Sequence, residues 1–362
     1  VQLTTNGGKH WTNITTRVKG MPDEGWITEI MASSFDAGTA WMVVNNYRKG
    51  DYAPYLFQTV DYGKSWKRMA DENKVKGYAL SFIQDPVVPE LLFLGTENGL
   101  WISMDEGDSW TQFKNGFPSV STMDLEIQKP ESALIVGTFG RAIWVLDDLL
   151  SLREIAANRL KPGIRALPMN EAVQVKGLFI NPPGNIWTGF HTTFEGENRV
   201  FQKTKIPFYL SKEPDSGQVV TASIFDARQK LIKTVETKQL VKGLNYMIWK
   251  LDEQAASFSK RKPGSDPRGI AVLPGDYTIE LTYAGFKDVT KVKVVADPRF
   301  ELYQKIDEAL YAFRKEVDVQ VAALAKQLHH IDDKMAWLKR ADTLLIEKGV
   351  DTKDSTIVSV QG

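Results

Sequence analysis

The sequence predicts a mainly β chain: the C-terminal blades of a β-propeller, then an immunoglobulin-like β-sandwich, then a long C-terminal α-helix or helical hairpin. Three observations predict it. A short pattern ending in Gly-x-x-Trp occurs three times in the first 110 residues. Strand-length apolar runs recur between its copies with a period of about forty residues, the spacing of a propeller blade. From Phe300 onward the apolar positions step by three and four, with no Gly or Pro before Gly349, as in a heptad helix.

The three copies are Thr4-Thr5-Asn6-Gly7-Gly8-Lys9-His10-Trp11, Thr59-Val60-Asp61-Tyr62-Gly63-Lys64-Ser65-Trp66 and Ser103-Met104-Asp105-Glu106-Gly107-Asp108-Ser109-Trp110. Their frame is a hydroxyl residue, Asp or Asn two later, Gly two after that and Trp three further on. The structural positions are thus Asn6, Gly8 and Trp11, then Asp61, Gly63 and Trp66, then Asp105, Gly107 and Trp110. A decayed fourth copy follows, since Leu92 to Thr96 and Trp101 are echoed by Leu134 to Thr138 and Trp144, with Asp147 at the acidic position but no Gly or Trp. Atypical terminal repeats are expected of such arrays.

Within one unit the strands read Leu80 to Gln84, Leu91 to Gly95, Leu100 to Ser103 and Trp110 to Phe113, so the repeated pattern is the turn between third and fourth strands. A short side-chain acceptor there binds turn N–H groups, Gly supplies a positive φ, and Trp packs on the neighbouring unit. In an up-and-down sheet, turns after the first and third strands share one rim, and connections after the second and fourth share the other. A ligand cleft is therefore expected on the rim opposite the patterned turns. There, Asn45 to Pro54 forms an enlarged connection, and Tyr47, Arg48 and Tyr52 are its candidate ligand-binding residues for a carbohydrate or peptide. Asp23, Glu24 and Asp71 lie in fourth-to-first connections on the same rim.

The repeated frame resembles the Asp box of the bacterial neuraminidase repeat, found in sialidases, Asp-box xyloglucanases and sortilin-type propellers. Gly137 to Asp148, followed by Leu149 and Leu152-Arg153, resembles the closing strand of large bacterial sortilin-like proteins often labelled glycosyl hydrolases. Gly243-Leu244-Asn245, Trp249-Lys250-Leu251 and Leu273 to Tyr277 resemble the sandwich of flagellar-hook-capping proteins and of that same family. The resemblance runs from Val1 to about Arg299. It implies a bacterial protein that is secreted, periplasmic or at the cell surface. About three and a half units precede Asp148, and since propellers close with at least four blades, the remaining blades are expected to precede Val1 or to come from another chain.

Residues 1–150 are thus read as partial propeller and 151–176, broken by Pro162-Gly163 and Pro168, as a connector. Residues 177–298 are read as the sandwich. Its strands are expected at Val173 to Phe179, Ile206 to Leu210, Val219 to Phe225, Lys230 to Val235, Leu244 to Leu251, Asp276 to Tyr283 and Val289 to Val295. Asn181 to Lys205 reads as a long loop carrying Trp187, Phe190, His191, Phe194 and Phe201, which tuck it onto its own domain. Residues 299–348 form the helical segment, with a break near His329 to Asp333 as the hairpin alternative, and 349–362 a tail. The stripe of Leu302, Ile306, Leu310, Phe313, Val317, Val321, Leu324, Leu328, Ile331, Met335, Leu338 and Leu345 calls for a helical partner.

Equal counts of Lys+Arg and Asp+Glu, 45 each, provide no basic footprint for nucleic acid, and no apolar run reaches the length of a membrane span. With no cysteine and four histidines outside any metal-ligand spacing, neither a thiolate site nor a zinc hydrolase is indicated; His329 and His330 are adjacent and diverge on a helix. No nucleophile elbow, phosphate loop or dinucleotide fingerprint occurs, and no cofactor is expected. The expected function is binding of a polypeptide or glycan, with sandwich and helix used for assembly. The alternative is a glycoside hydrolase, xyloglucanase- or sialidase-like, whose paired carboxylates need further blades. No catalytic residue can be named for it.

Overall fold

The computed structural model describes residues 1–174, 204–256, 268–298 and 304–349, apart from positions 115, 131, 148, 158, 159 and 161. The chain is mainly β with one long C-terminal helix. A short hairpin, β1 (Gln2–Leu3) and β2 (Thr12–Asn13), carries the first patterned turn. Two four-stranded antiparallel sheets follow: β3 (Trp26–Ala32), β4 (Ala40–Asn46), β5 (Asp51–Thr59) and β6 (Lys67–Ala70), then β7 (Ala79–Gln84), β8 (Leu92–Thr96), β9 (Gly99–Ser103) and β10 (Thr111–Gln112). In both, each strand pairs with its sequence neighbours. The sheet of the decayed copy has three strands, β11 (Thr122–Gln128), β12 (Ala133–Thr138) and β13 (Ile143–Leu146). Where the Gly and Trp of the turn are gone, no fourth strand pairs with this sheet among the described residues.

Consecutive sheets pack face to face because both faces of their middle strands are apolar. Trp41, Val43 and Leu56 meet Phe82, Leu92, Leu94, Trp101 and Trp110 between the first two four-stranded sheets. Ile83, Phe93, Leu100 and Ile102 meet Leu125, Ile127, Leu134 and Val136 between the second and the three-stranded sheet. Each fully buried Phe or Leu contributes roughly 1.5–3 kcal/mol, so these interfaces hold the array together.

The connector is more ordered than its breakers imply. It opens with helix α1 (Leu149–Ala156), whose Leu149, Leu152 and Ala156, spaced at three and four residues, complete the core under the three-stranded sheet. Eight residues are too few for the period to stand out in sequence. Further on, β14 (Ile164–Ala166) and β15 (Ala172–Gln174) join the downstream sheets.

Those sheets contain β16 (Thr204–Leu210), β17 (Val220–Phe225), β18 (Leu231–Thr237), β19 (Gly243–Trp249), β20 (Gly275–Tyr283) and β21 (Phe286–Ala296), all at expected places. One sheet has the order β14-β16-β19 and the other β15-β21-β20-β17-β18. Their inward side chains, among them Phe208, Met247 and Trp249 from the first and Ile224, Ile279 and Val292 from the second, form one core. The expected wholly antiparallel arrangement is corrected at one place: β15 runs parallel to β21, because it enters by a long crossover rather than a hairpin. The expected strand beyond Gln174, the loop residues Trp187, Phe190, His191, Phe194 and Phe201, and the tail beyond Gly349 lie outside the described residues.

The last element, α2 (Gln304–Glu347), is a single helix of 44 residues, about 66 Å long at 1.5 Å per residue. The hairpin alternative is thereby corrected: nothing in His329 to Asp333 interrupts the backbone bonds, since neither Gly nor Pro is present. Near its start, the Tyr311 hydroxyl donates to Glu253 and Lys315 Nζ lies 2.6 Å from the same carboxylate.

Candidate functional site

The patterned turns show why their acidic residues are spoken for. In the second, Thr59 Oγ1 accepts the Gly63 N–H at 2.9 Å, and Asp61 Oδ1 accepts the Thr59 hydroxyl at 2.8 Å and the Ser65 N–H at 2.9 Å. Ser65 Oγ closes on Asp61 Oδ2 at 2.6 Å. Asp105 repeats this with Ser103 and Ser109, and Asn6 repeats the core of it with Thr4 and the His10 N–H. The Ser65 hydroxyl and N–H hold the Asp61 carboxyl at a pKa of about 2. For Asp105, burial pushes upward, but the bonds from Ser109 and Ser103 outweigh it and the pKa is lowered.

Each turn places two successive residues at positive φ: Gly7 and Gly8, Tyr62 (60°) and Gly63 (75°), Glu106 (56°) and Gly107 (91°). A Cβ on Gly63 would stand 2.6 Å from Ile14 Cδ1, and one on Gly107 3.0 Å from Met69 Cε. The glycines are thus where one unit touches the preceding one. Trp110 is buried in the inter-sheet core, Trp66 packs at the edge of the first core, and Trp11 is 61% exposed.

On the opposite rim the structure brings all three expected ligand residues together and adds two. Tyr47 and Arg48 lie on a single 3-10 turn (Tyr47–Lys49) that Gly50 ends at φ 79°. The Tyr47 ring stacks on Tyr78 of the next unit, centroids 4.5 Å apart and planes 16° from parallel, and Tyr52 leans on the same ring at 6.1 Å. The Arg48 guanidinium sits 4.7 Å above the Trp26 ring and 5.6 Å from that of Tyr47, the geometry of a cation–π contact. Trp26 and Tyr52 are each 58% exposed. The result is a continuous platform, Trp26, Arg48, Tyr47, Tyr78 and Tyr52, crossing from one sheet to the next. Sequence reasoning missed Trp26 and Tyr78. Both stand where a fourth-to-first connection enters a first strand, so rim parity could have found them.

The rim carboxylates are engaged. Glu24 pairs with Lys49, whose Nζ also reaches the Asp23 carbonyl at 3.4 Å. Asp71 accepts the N–H groups of Asn73 and Lys74 at 2.9 and 3.2 Å. Asp51 takes the Ala53 N–H at 3.1 Å and the Tyr55 hydroxyl at 2.9 Å, steadying the platform loop from below. Burial raises the Tyr78 phenol, with Glu97, Tyr47 and Tyr52 adding to it. Deeper along β3, burial raises Glu29 despite the Phe82 N–H it accepts at 2.8 Å, and Asp124 and Glu126 push the same way. Among the described residues no three His, Asp or Glu side chains are grouped to hold a metal ion.

No protein-family profile and no curated protein matches the chain. Among solved structures, the chain is similar to the GH74 xyloglucanase from Xanthomonas campestris at 14% identity over 79% of this chain and 41% of that one, TM-score 0.32. It is similar to an ancestral GH74 enzyme at 12% identity over 80% and 37%, TM-score 0.30. The GH74 enzyme of Niastella koreensis gives 16% identity over 34% and 21%, TM-score 0.30. The chain therefore spans less than half the length of these structures, and at such scores no residue role carries across.

Proposed function

We propose that the N-terminal sheets are successive blades of an Asp-box β-propeller whose rim, on the side away from the boxes, binds a glycan or polypeptide. The observation that carries the reading is the Trp26, Arg48, Tyr47, Tyr78 and Tyr52 platform: two exposed rings, Trp26 and Tyr52, flanking a half-buried tyrosine stack and a cation are an unusual surface to leave in water. Aromatic faces with a polar edge suit sugar rings and peptide side chains alike. Domain division near residues 150, 176 and 298, an immunoglobulin-like sandwich used in assembly, and placement outside a bacterial cytoplasm belong to the same proposal.

The blade reading has support in the free face of the three-stranded sheet. Ile135, Ile143 and Val145 occupy the register positions of Phe93, Leu100 and Ile102, which the following sheet buries, yet Ile143 is 70% and Val145 44% exposed. That face suits a further sheet of the same kind.

Glycan and peptide arrays probed with the chain test the binding reading, and any hit is repeated with Tyr52→Ala. Retained folding with silence on both arrays would overturn it. A second reading, glycoside hydrolysis, is favoured by Glu29 alone, a carboxyl kept protonated to higher pH beside Asp124 and Glu126 as a general acid is. Release of reducing sugar from xyloglucan that Glu29→Gln abolishes would support it.

A further inference from the structure

Helix α2 meets the body of the protein with its polar face. Tyr311 and Lys315 hold Glu253, and Asp318 and Ala325 lie along the same line of the helix, Ala325 being buried. More than a third of a turn away, at 3.6 residues per turn, runs the apolar stripe. Ile306, Leu310, Phe313, Val317, Leu324, Leu328, Ile331 and Met335 on it are all exposed. A helix that docks by polar groups and shows eight large apolar side chains to water is arranged for a second partner.

The steps of three and four are regular from Val317 on: Val321, Leu324, Leu328, Ile331, Met335, Leu338 and, a heptad later, Leu345. Asp342 takes the one apolar position left between Leu338 and Leu345. On one flank of the stripe Asp332 stands one heptad before Lys339. This pattern is self-complementary about a two-fold axis near residue 336. Two antiparallel copies would set Asp332 beside Lys339 of the other copy and Met335 against its Leu338, on both sides of the axis. Two parallel copies in register would set Asp342 against Asp342 inside the seam and Lys334 beside Lys339, both repulsive, whereas the antiparallel register sets each Asp342 against an Ile331 with no like charge facing it.

We propose that the C-terminal half of α2, from Leu324 to Gly349, is the interface of a homodimer in which two copies of this helix pair antiparallel. The residues that hold the helix to Glu253, Tyr311 and Lys315, precede this half, whose Leu324, Leu328, Ile331 and Met335 are exposed. The inference does not depend on what the rim binds.

Light scattering coupled to size exclusion over a hundredfold range of concentration tests it with the whole chain. Twice the monomer mass is expected, falling to the monomer for Met335→Glu combined with Leu338→Glu while circular dichroism keeps its β signature. Asp332→Lys should weaken the dimer at least tenfold, and adding Lys339→Asp should restore it. Because the chain has no cysteine, orientation is read by introduced ones. An equal mixture of Met335→Cys and Leu338→Cys should give the mixed disulfide well beyond the twofold excess over either homodisulfide that random pairing produces. A monomer at every concentration, no rescue by the charge exchange, or predominance of the homodisulfides would overturn the proposal.

Discussion

Arg153 on α1 clasps Asp85, 68 residues earlier in the turn after β7: its Nε lies 3.1 and 2.9 Å from the two carboxylate oxygens, and Nη1 donates to Ser132 Oγ at 2.9 Å. Asp85 also caps its own turn by accepting the N–H groups of Val87 and Val88, each at 2.8 Å. The neighbouring Glu154 faces Arg165 of β14 at 3.7 Å, and Arg165 binds Asp288 of β21 at 3.0 Å. Two adjacent residues of one short helix thus tie the stacked sheets to the two-sheet core beyond them.

Asp85 is wholly buried and Arg153 nearly so, so truncating one partner strands a charge. Arg153→Ala should cost about 3–5 kcal/mol, and the double change with Asp85→Ala clearly less than the sum of the singles. Urea denaturation followed by tryptophan fluorescence checks both, and an additive double variant would refute the coupling.

The Tyr47 and Tyr78 rings belong to neighbouring units, so their stack should appear as a coupling energy of about 0.5–1.5 kcal/mol in a double-mutant cycle to Leu. Tyr78→Phe should preserve both the stack and ligand binding. Loss of binding in Tyr78→Phe would mean that the phenol, not the ring, is used.

Asp61 makes a prediction about acid. Its carboxyl has a pKa of about 2 in the folded chain against an ordinary 3.8, so the folded state favours the ionised form. That contribution is complete above pH 4 and is lost as pH falls toward 2. Asp61→Asn should flatten the fall of Tm across this window relative to the parent chain; identical slopes would show that the carboxylate adds nothing.

Glu106 sits at φ 56° without the freedom of glycine. Glu106→Gly should stabilise the third turn by about 0.5–1 kcal/mol, whereas Gly63→Ala, which meets Ile14 Cδ1 at 2.6 Å, should destabilise. Differential scanning calorimetry of the two variants should shift Tm in opposite directions.

Strand positions, the turn between third and fourth strands, and the platform loop were legible because period, Gly and hydroxyl-to-acid spacing are local signals. Trp26 and Tyr78 carry no local pattern of their own: rim parity alone points to them, and Tyr78 meets Tyr47 only when two sheets stack. Likewise α1 hides in a stretch whose Pro162 and Pro168 read as breaks, and β15 pairs in parallel through a partner more than a hundred residues away. The stripe of α2 was plain in sequence, but that the helix docks by Tyr311 and Lys315 instead was not, because Glu253 identifies that face only in three dimensions.

The central proposal is that ligands bind on the rim away from the patterned turns. Isothermal titration of the best array ligand against the parent chain, Trp26→Ala, Tyr52→Ala and Trp11→Ala tests it most directly. Trp11 is as exposed as Trp26 and Tyr52 but ends a patterned turn. The account predicts at least tenfold weaker binding in Trp26→Ala and Tyr52→Ala and parent affinity in Trp11→Ala. Parent affinity in both platform variants, or loss confined to Trp11→Ala, would contradict it.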